Sequence, residues 1–257
     1  MVVIIGIDCA TQDKNIGLAL GKLSEGRLQV SKAISSLRPG GVASTLREWA
    51  DPNLPTLLAI DAPLGWPQAM GATLLAHEAG KPIAVAPNLL FRRRTDVHIK
   101  ERLSQQPLDV GADRIARTAH RALQLIGGLG TSLGQPIELA WDPLFHDIRA
   151  IEVYPAATLV AYKIPARSYK DEGGAEARNE ILTRLCEHVT LDGDELRAAC
   201  LADADVLDAV VCVLAGADFI MGRAEAPQDE DLARKEGWIW CRKLEAETPN
   251  TLGRANS

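Results

Sequence analysis

Aromatic side chains are scarce in this sequence, at 4% of 257 residues. Few platforms are therefore present for stacking the bases of a nucleic acid. An excess of basic residues is also lacking, because the formal net charge is -6. This charge argues against broad, sequence-independent adhesion to nucleic acid as the main source of affinity, although a local basic groove remains compatible with it.

Paired cysteines are missing as well. The chain has five cysteines, an odd number, and no two of them have the C-x-x-C spacing. This pattern indicates neither a zinc site nor a disulfide framework, and it favours a reducing compartment.

Long apolar segments are absent. The first apolar run is too short for a signal peptide and no basic region precedes it. Two aspartates interrupt the apolar segment 206–221, which argues against a membrane span. We therefore expect a cytoplasmic protein without a membrane segment. No linker rich in Pro, Gly or Ser divides the chain, so we expect a single domain over 1–247 and a disordered tail over 248–257.

Two apolar segments, 2–7 and 56–60, each end on an aspartate, Asp8 and Asp61. Their β-branched and aliphatic residues are typical of buried strands. Either aspartate alone is compatible with an ordinary strand end. If the strands are adjacent and parallel, however, the two carboxylates meet, and their repulsion is costly unless a cation compensates it.

A late apolar segment, 201–216, predicts a buried helix carrying Asp205 and Asp208. The two residues are three apart and share a helix face. Asp205 also suits a first turn, where the helix dipole favours acids, whereas Asp208 lies a turn further in among apolar residues and needs a partner. No lysine is close in sequence to compensate these acids. Converging carboxylates form a hard oxygen site, which selects Mg²⁺ or Mn²⁺.

The other predicted elements fill the chain between these acids. Strands are predicted at 16–20, 27–34 and 148–154, the last containing Glu152, and an edge strand at 237–241. Helices are predicted at 42–49, 68–80, 110–126, 156–162 and 175–189, with a flexible loop at 127–134.

The order of these elements and acids resembles the ribonuclease H fold, and the D-x-x-D-A pattern at 205–209 is similar to that of Holliday-junction resolvases. Five further motifs are similar to the DUF429 family, which is classed as predicted nucleases of that fold. They are GIDCAT at 6–11, AIDAPLGWP at 59–67, FRRRTD at 91–96, IEVYP at 151–155 and EGWIW at 236–240.

This resemblance implies a mixed five-stranded sheet, made of a three-stranded antiparallel meander plus parallel strands, flanked by helices and carrying helical insertions. Asp8, Asp61 and the Asp205/Asp208 pair match the ribonuclease H acids, and Glu152 matches a family motif. We predict these five residues to be catalytic, with Asp8, Asp61 and Asp208 as the metal ligands.

The three consecutive arginines at 92–94 are candidates for substrate binding, because guanidinium groups bind phosphates and carboxylates in bidentate fashion. The predicted substrate-binding residues are Arg92, Arg93, Arg94, Thr11 and Trp66. Trp66 either stacks a base or packs in the core. A basic stripe on the helix at 110–126 either lines a substrate channel or is a solvated face; it consists of Arg114, Arg117 and Arg121.

Three functional hypotheses follow from these patterns. The first is two-metal hydrolysis of phosphodiesters in nucleic acid or a nucleotide. The second is a nucleotide-dependent phosphotransferase of actin-like fold, although Cys9, Ala10 and Thr11 stand where such proteins have glycine after the aspartate. The third is a non-catalytic binding protein in which the acids are structural. The sequence leaves the oligomeric state open.

Overall fold

A computed structural model describes residues 1–35, 37–111 and 113–244 of the chain. A seven-stranded sheet forms its centre, with the strand order β5-β6-β4-β1-β2-β3-β7. The strands are β1 (Val2–Asp8), β2 (Gly17–Ser24), β3 (Arg27–Ile34), β4 (Thr56–Asp61), β5 (Glu138–Leu139), β6 (Ile148–Glu152) and β7 (Thr190–Leu191).

Helices flank the sheet. They are α1 (Gly41–Trp49), α2 (Gln68–Leu75), α3 (Pro87–Phe91), α4 (Arg94–Leu103), α5 (Asp113–Leu133), α6 (Pro155–Ala161), α7 (Ala175–Leu185), α8 (Asp194–Ala202), α9 (Ala204–Ile220) and α10 (Glu230–Glu236). The expectation of a mixed α/β fold with an antiparallel meander and parallel strands is confirmed.

Strand β1 is central because both of its faces are apolar. Ile4 belongs to a core cluster that includes most of α9, whereas Ile5 and Ile7 belong to a second cluster that includes residues of α1 and α5. Strand β1 pairs antiparallel with β2 and parallel with β4, and β4 pairs parallel with β6. The parallel strands β1, β4 and β6 therefore deliver their last residues to one edge of the sheet.

Two glycines allow α9 to lie unusually close to the sheet. A Cβ on Gly6 would be 2.0 Å from the carbonyl oxygen of Ala209, and a Cβ on Gly17 would be 2.0 Å from that of Asp205. Any larger residue at either position would push the helix away. The position of the α9 aspartates relative to β1 therefore depends on these glycines.

Several predictions about the elements were wrong. The sheet has seven strands and not five, because β5 and β7 are two-residue edge strands. Such short strands are too brief to show an alternating pattern. Segment 237–241 forms only an isolated bridge between Ile239 and Glu152. The predicted tail 248–257 lies outside the described residues.

The boundaries of two helices also differ from the prediction. The expected loop 127–134 is mostly the last part of α5, because Leu129 extends the apolar stripe of that helix into the core. Tertiary packing therefore overrides the low helix propensity of the glycines there. The predicted helix 201–216 is two helices, α8 and α9, and the Asp203 side chain caps the second by accepting a hydrogen bond from the Asp205 amide at 2.9 Å.

In the described part of the chain, no helix combines the length and the apolar character needed to cross a membrane.

The close approach of α9 predicts a large effect of Gly6→Ala. We expect this variant to lose roughly 3 kcal/mol or more in the free energy of unfolding, because the added methyl group meets backbone at 2.0 Å. Gly127→Ala is the matched control: nothing lies within 4 Å of its added Cβ on α5, so a gain of about 0.5–1 kcal/mol is expected. Urea unfolding measures the free energy of unfolding of both variants, and equal values for the two would contradict the prediction.

Candidate carboxylate site

The two strand-end aspartates lie side by side. Asp8 and Asp61 are the last residues of β1 and β4 and are direct partners in the parallel register. Helix α9 crosses this edge closely and contributes Asp208, which is fully buried, and Asp205, which is partly buried. The structure therefore brings together the four aspartates that the sequence singled out.

The electrostatics of the cluster reflect burial and mutual repulsion. Burial raises the pKa of Asp8 well above its usual range, and the Asp208 and Asp61 carboxylates raise it further. Burial followed by the charge of Asp208 raises the pKa of Asp61 to about 7. Burial also raises the pKa of Asp208. Carboxylates with such raised pKa values gain from any cation that approaches them.

Lys170 supplies a cation that the sequence did not reveal. Its Nζ lies 2.5 Å from Oδ2 of Asp208, and the Tyr169 hydroxyl donates to Oδ1 of Asp208 at 2.8 Å. Burial lowers the pKa of Lys170, but the charges of Asp208 and Asp8 outweigh it and leave that pKa raised. No local pattern marks Lys170, because it lies far from each aspartate in sequence and outside any helix or strand.

The donor set of the cluster suits a hard divalent cation, because it consists of carboxylate oxygens. As the side chains stand, however, no three His, Cys, Asp or Glu residues within 1–35, 37–111 and 113–244 form a ready-made metal-binding group. The Lys170 ammonium is in contact with Asp208 instead. The chemistry of the donors therefore fits a metal ion, provided that the lysine releases Asp208.

A cavity of about 410 Å³ lies beside Asp61 and Lys170. Its other walls include apolar side chains from the segment before α5 and from α5 itself, such as Leu108 and Ile115. Tyr154, which follows β6, also lines it. The acids thus border a space large enough for a small molecule.

Arg93 and Glu152 form a second charged group, which is buried beside this cavity. The Arg93 guanidinium donates to Oε1 of Glu152 at 2.7 Å and to Oδ1 of Asp96 at 2.8 Å. Glu152 also accepts a hydrogen bond from the Leu64 amide at 2.9 Å. Burial raises the pKa of Glu152, although Arg93 opposes that effect. These contacts orient Glu152 towards Arg93.

Glu236 joins further segments to this group. Its carboxylate accepts hydrogen bonds from the Gln68 and Arg94 amides, each at 2.7 Å, at the starts of α2 and α4. The Glu236 carbonyl oxygen accepts from Arg93 at 3.3 Å. The FRRRTD, IEVYP, AIDAPLGWP and EGWIW motifs therefore meet in one buried network.

The remaining predicted substrate residues are spread more widely. Arg92 pairs with Asp109 at 3.2 Å. Arg94 and Trp238 line a cavity of about 120 Å³, and Thr11 lines a separate one of about 460 Å³. Trp66 is partly buried. Their roles in substrate binding stay predictions, as does the catalytic role of Glu152.

The fold and the site define a mixed α/β protein with a carboxylate cluster at the edge where its parallel strands end. The chain belongs to the DUF429 family, described as a protein of unknown function, and matches it over residues 6–232. The family resemblance expected from the motifs is thus confirmed. No curated protein and no solved structure shows significant similarity to the chain.

The raised pKa of Asp61 predicts a pH-dependent effect of Asp61→Asn. An unfolded aspartate titrates near pH 3.9, so the folded protein binds more protons between about pH 4 and 7 and its stability falls as the pH rises through that range. In EDTA at pH 8 we expect Asp61→Asn to be more stable than the wild type by roughly 2–4 kcal/mol. Below about pH 4 the difference vanishes.

Urea unfolding in EDTA at pH 4, 6 and 8 measures this difference. The matched control is Asp192→Asn, an exposed aspartate, which should follow the wild type at each pH. A variant at Asp61 that is no more stable than the wild type at pH 8 would contradict the prediction.

The buried network predicts a large cost for Arg93→Met. This change leaves the Glu152 and Asp96 carboxylates buried without their cation, so we expect a loss of about 3–5 kcal/mol in the free energy of unfolding. Arg117→Met is the control, because its pair with Asp113 is exposed and should contribute less than about 1 kcal/mol. Thermal and urea unfolding compare the two, and a loss below about 1 kcal/mol for Arg93→Met would refute a structural role for the pair.

Proposed function

We propose that the protein hydrolyses phosphodiester bonds with the help of Mg²⁺ or Mn²⁺. The observation that carries this proposal is the convergence of Asp8, Asp61 and Asp208, whose carboxylates are held close together despite burial and mutual repulsion. An arrangement that costs free energy in the absence of a ligand is typical of a functional site.

The sheet supports the proposal. Its five central strands follow the order β3-β2-β1-β4-β6, with an antiparallel meander and two parallel strands. This arrangement agrees with the ribonuclease H-like fold that the motifs imply, and β5 and β7 extend it at its two edges. The positions of the acids on β1, β4 and α9 support the proposal, because these are the elements from which the resemblance draws its acids.

Within this proposal Asp8, Asp61 and Asp208 hold the metal ions and Asp205 assists. When bound, the ions would supply Lewis-acid activation of water and of the phosphoryl group. Lys170 must leave Asp208 when a metal ion binds, because its ammonium contacts the same oxygen. Lys170 lines the cavity, so an ammonium released in this way could pair with a phosphate oxygen of the substrate.

A second candidate function is that of a non-catalytic binding protein in which the acids have a structural role. The contacts of Lys170 and Tyr169 with Asp208 favour it, because they already compensate one of the acids. In that case the cluster is structural and binds no divalent cation. A calorimetric Mn²⁺ titration of the wild type and Asp8→Asn separates the two functions, since metal binding that the substitution weakens excludes the structural alternative.

Cleavage assays test the proposed activity. With Mn²⁺ or Mg²⁺ we expect the wild type to hydrolyse at least one substrate in a panel of nucleotide and oligonucleotide phosphodiesters. Loss of a residue that only supports a metal ligand typically lowers metal affinity or activity by about 10–100-fold. Removal of a ligand itself, in Asp8→Asn or Asp208→Asn, should therefore lower kcat/KM by more than about 100-fold. EDTA should abolish the activity.

Asp192→Asn serves as the matched control and should retain wild-type activity, because its side chain is exposed. Circular dichroism and melting curves establish that each variant is folded. Failure to cleave any substrate, or an Asp8→Asn variant as active as the wild type, would reject the proposal.

A further inference from the structure

The cavity beside the acids has the size of a small-molecule site. Its volume is about 410 Å³, and pockets for small ligands usually occupy about 300–1,000 Å³. The Asp61 carboxylate borders it and accepts no hydrogen bond from any residue in the described part of the chain. A free carboxylate at the wall of such a space is available to a ligand or to an ion that accompanies one.

The cavity walls combine polar and apolar groups. Asp61 and Lys170 supply charges, whereas Leu108, Ile115 and the ring of Tyr154 supply apolar surface. A nucleotide has a charged part and an apolar part in the same way, because its phosphate is anionic and the faces of its planar base are largely apolar. The space is too small for a continuous run of several nucleotides.

Four of the six arginines that the sequence offers for holding a longer nucleic acid are engaged with acids, namely Arg92, Arg93, Arg117 and Arg121. Arg94 and Arg114 are exposed and form no ion pair within the described residues. Arg121 pairs with Asp13 at 2.6 Å, and Arg92 pairs with Asp109 at 3.2 Å. The Arg93 guanidinium is buried against Asp96 and Glu152. Affinity for a long nucleic acid depends on several Lys and Arg side chains that neutralise phosphates. The arginines around this cavity mostly neutralise the protein's own carboxylates instead.

We propose that the substrate is a phosphodiester of the size of one nucleotide, whose phosphate lies at Asp61 and Lys170 and whose base lies against Tyr154 and Ile115. The position of the reacting phosphate rests on the proposed function. The base-binding half of the cavity does not, because it depends on the shape and the apolar walls of the cavity alone.

Calorimetry with the four 5′-mononucleotides in the presence of Mg²⁺ tests binding without hydrolysis. We expect at least one nucleotide to bind the wild type, and we expect Ile115→Trp to weaken its binding by about tenfold or more, because the indole fills the cavity. Leu123→Trp is the matched control: it adds similar bulk at an exposed position of α5 and should leave Kd within about twofold.

Leu108→Trp gives a second variant at the cavity wall, since its exposed side chain tolerates a larger residue without loss of the fold. It should also weaken nucleotide binding, and a nucleotide affinity that neither Ile115→Trp nor Leu108→Trp changes would overturn the proposal. So would the absence of binding of all four nucleotides at millimolar concentration.

Hydrolysis of a length series distinguishes a free nucleotide from the terminal nucleotide of a long strand. The series runs from cyclic mononucleotides and dinucleotides to a 20-nucleotide strand. We expect kcat/KM to be highest for the shortest substrates, whereas a value at least about tenfold higher for the long strand would overturn the proposal.

Cleavage of long strands without nucleotide binding leaves the proposed function standing and rejects this inference. Nucleotide binding that Ile115→Trp weakens, in a protein without hydrolytic activity, supports this inference and rejects the proposed function.

Discussion

The repulsion among Asp8, Asp61 and Asp208 is the interaction on which the rest of the structure depends. The parallel pairing of β1 with β4 puts two of these carboxylates in register, and the close approach of α9 adds the third. Burial raises the pKa of each acid, and neighbouring carboxylates add to this effect at Asp8 and Asp61, whereas Lys170 and Tyr169 oppose it at Asp208. The apolar packing on both faces of β1 must offset this cost.

The charged groups of the second network, around Arg93, are compensated by one another, unlike the carboxylates of the first cluster. Arg93 compensates Glu152 and Asp96, and Glu236 compensates the amides that open two helices. This network is satisfied, so it orients its segments without needing a ligand. The residues of the family motifs therefore fall into two groups. Asp8 and Asp61 belong to the carboxylate cluster. Arg93, Glu152 and Glu236 connect the chain segments around the cavity.

The sequence allowed prediction of the strands whose residues are buried on both faces, and of the acids that end them. Asp8 and Asp61 could be found because an apolar run that stops at a carboxylate has a clear local pattern. Lys170 could not be found in this way, because only the folding of a distant segment brings it to Asp208. The end of α5 and the edge strand β7 were missed for a related reason, since contacts made by the folded chain determine them and local propensity does not.

Lys170 links the stability of the protein to the proposed activity. Its side chain is about half exposed, yet its ammonium contacts a fully buried carboxylate, so Lys170 compensates Asp208 from a partly solvated position. Under the proposed function a metal ion at Asp208 would have to replace this contact, and the free energy of the ion pair would reduce its apparent affinity. A divalent ion that interacted with all three acids would recover that free energy, and Asp61 accepts no hydrogen bond from the described residues. Lys170 thus compensates Asp208 in the folded protein, while Asp8 and Asp61 keep raised pKa values, and this incomplete compensation is what the proposed cation-dependent function would require.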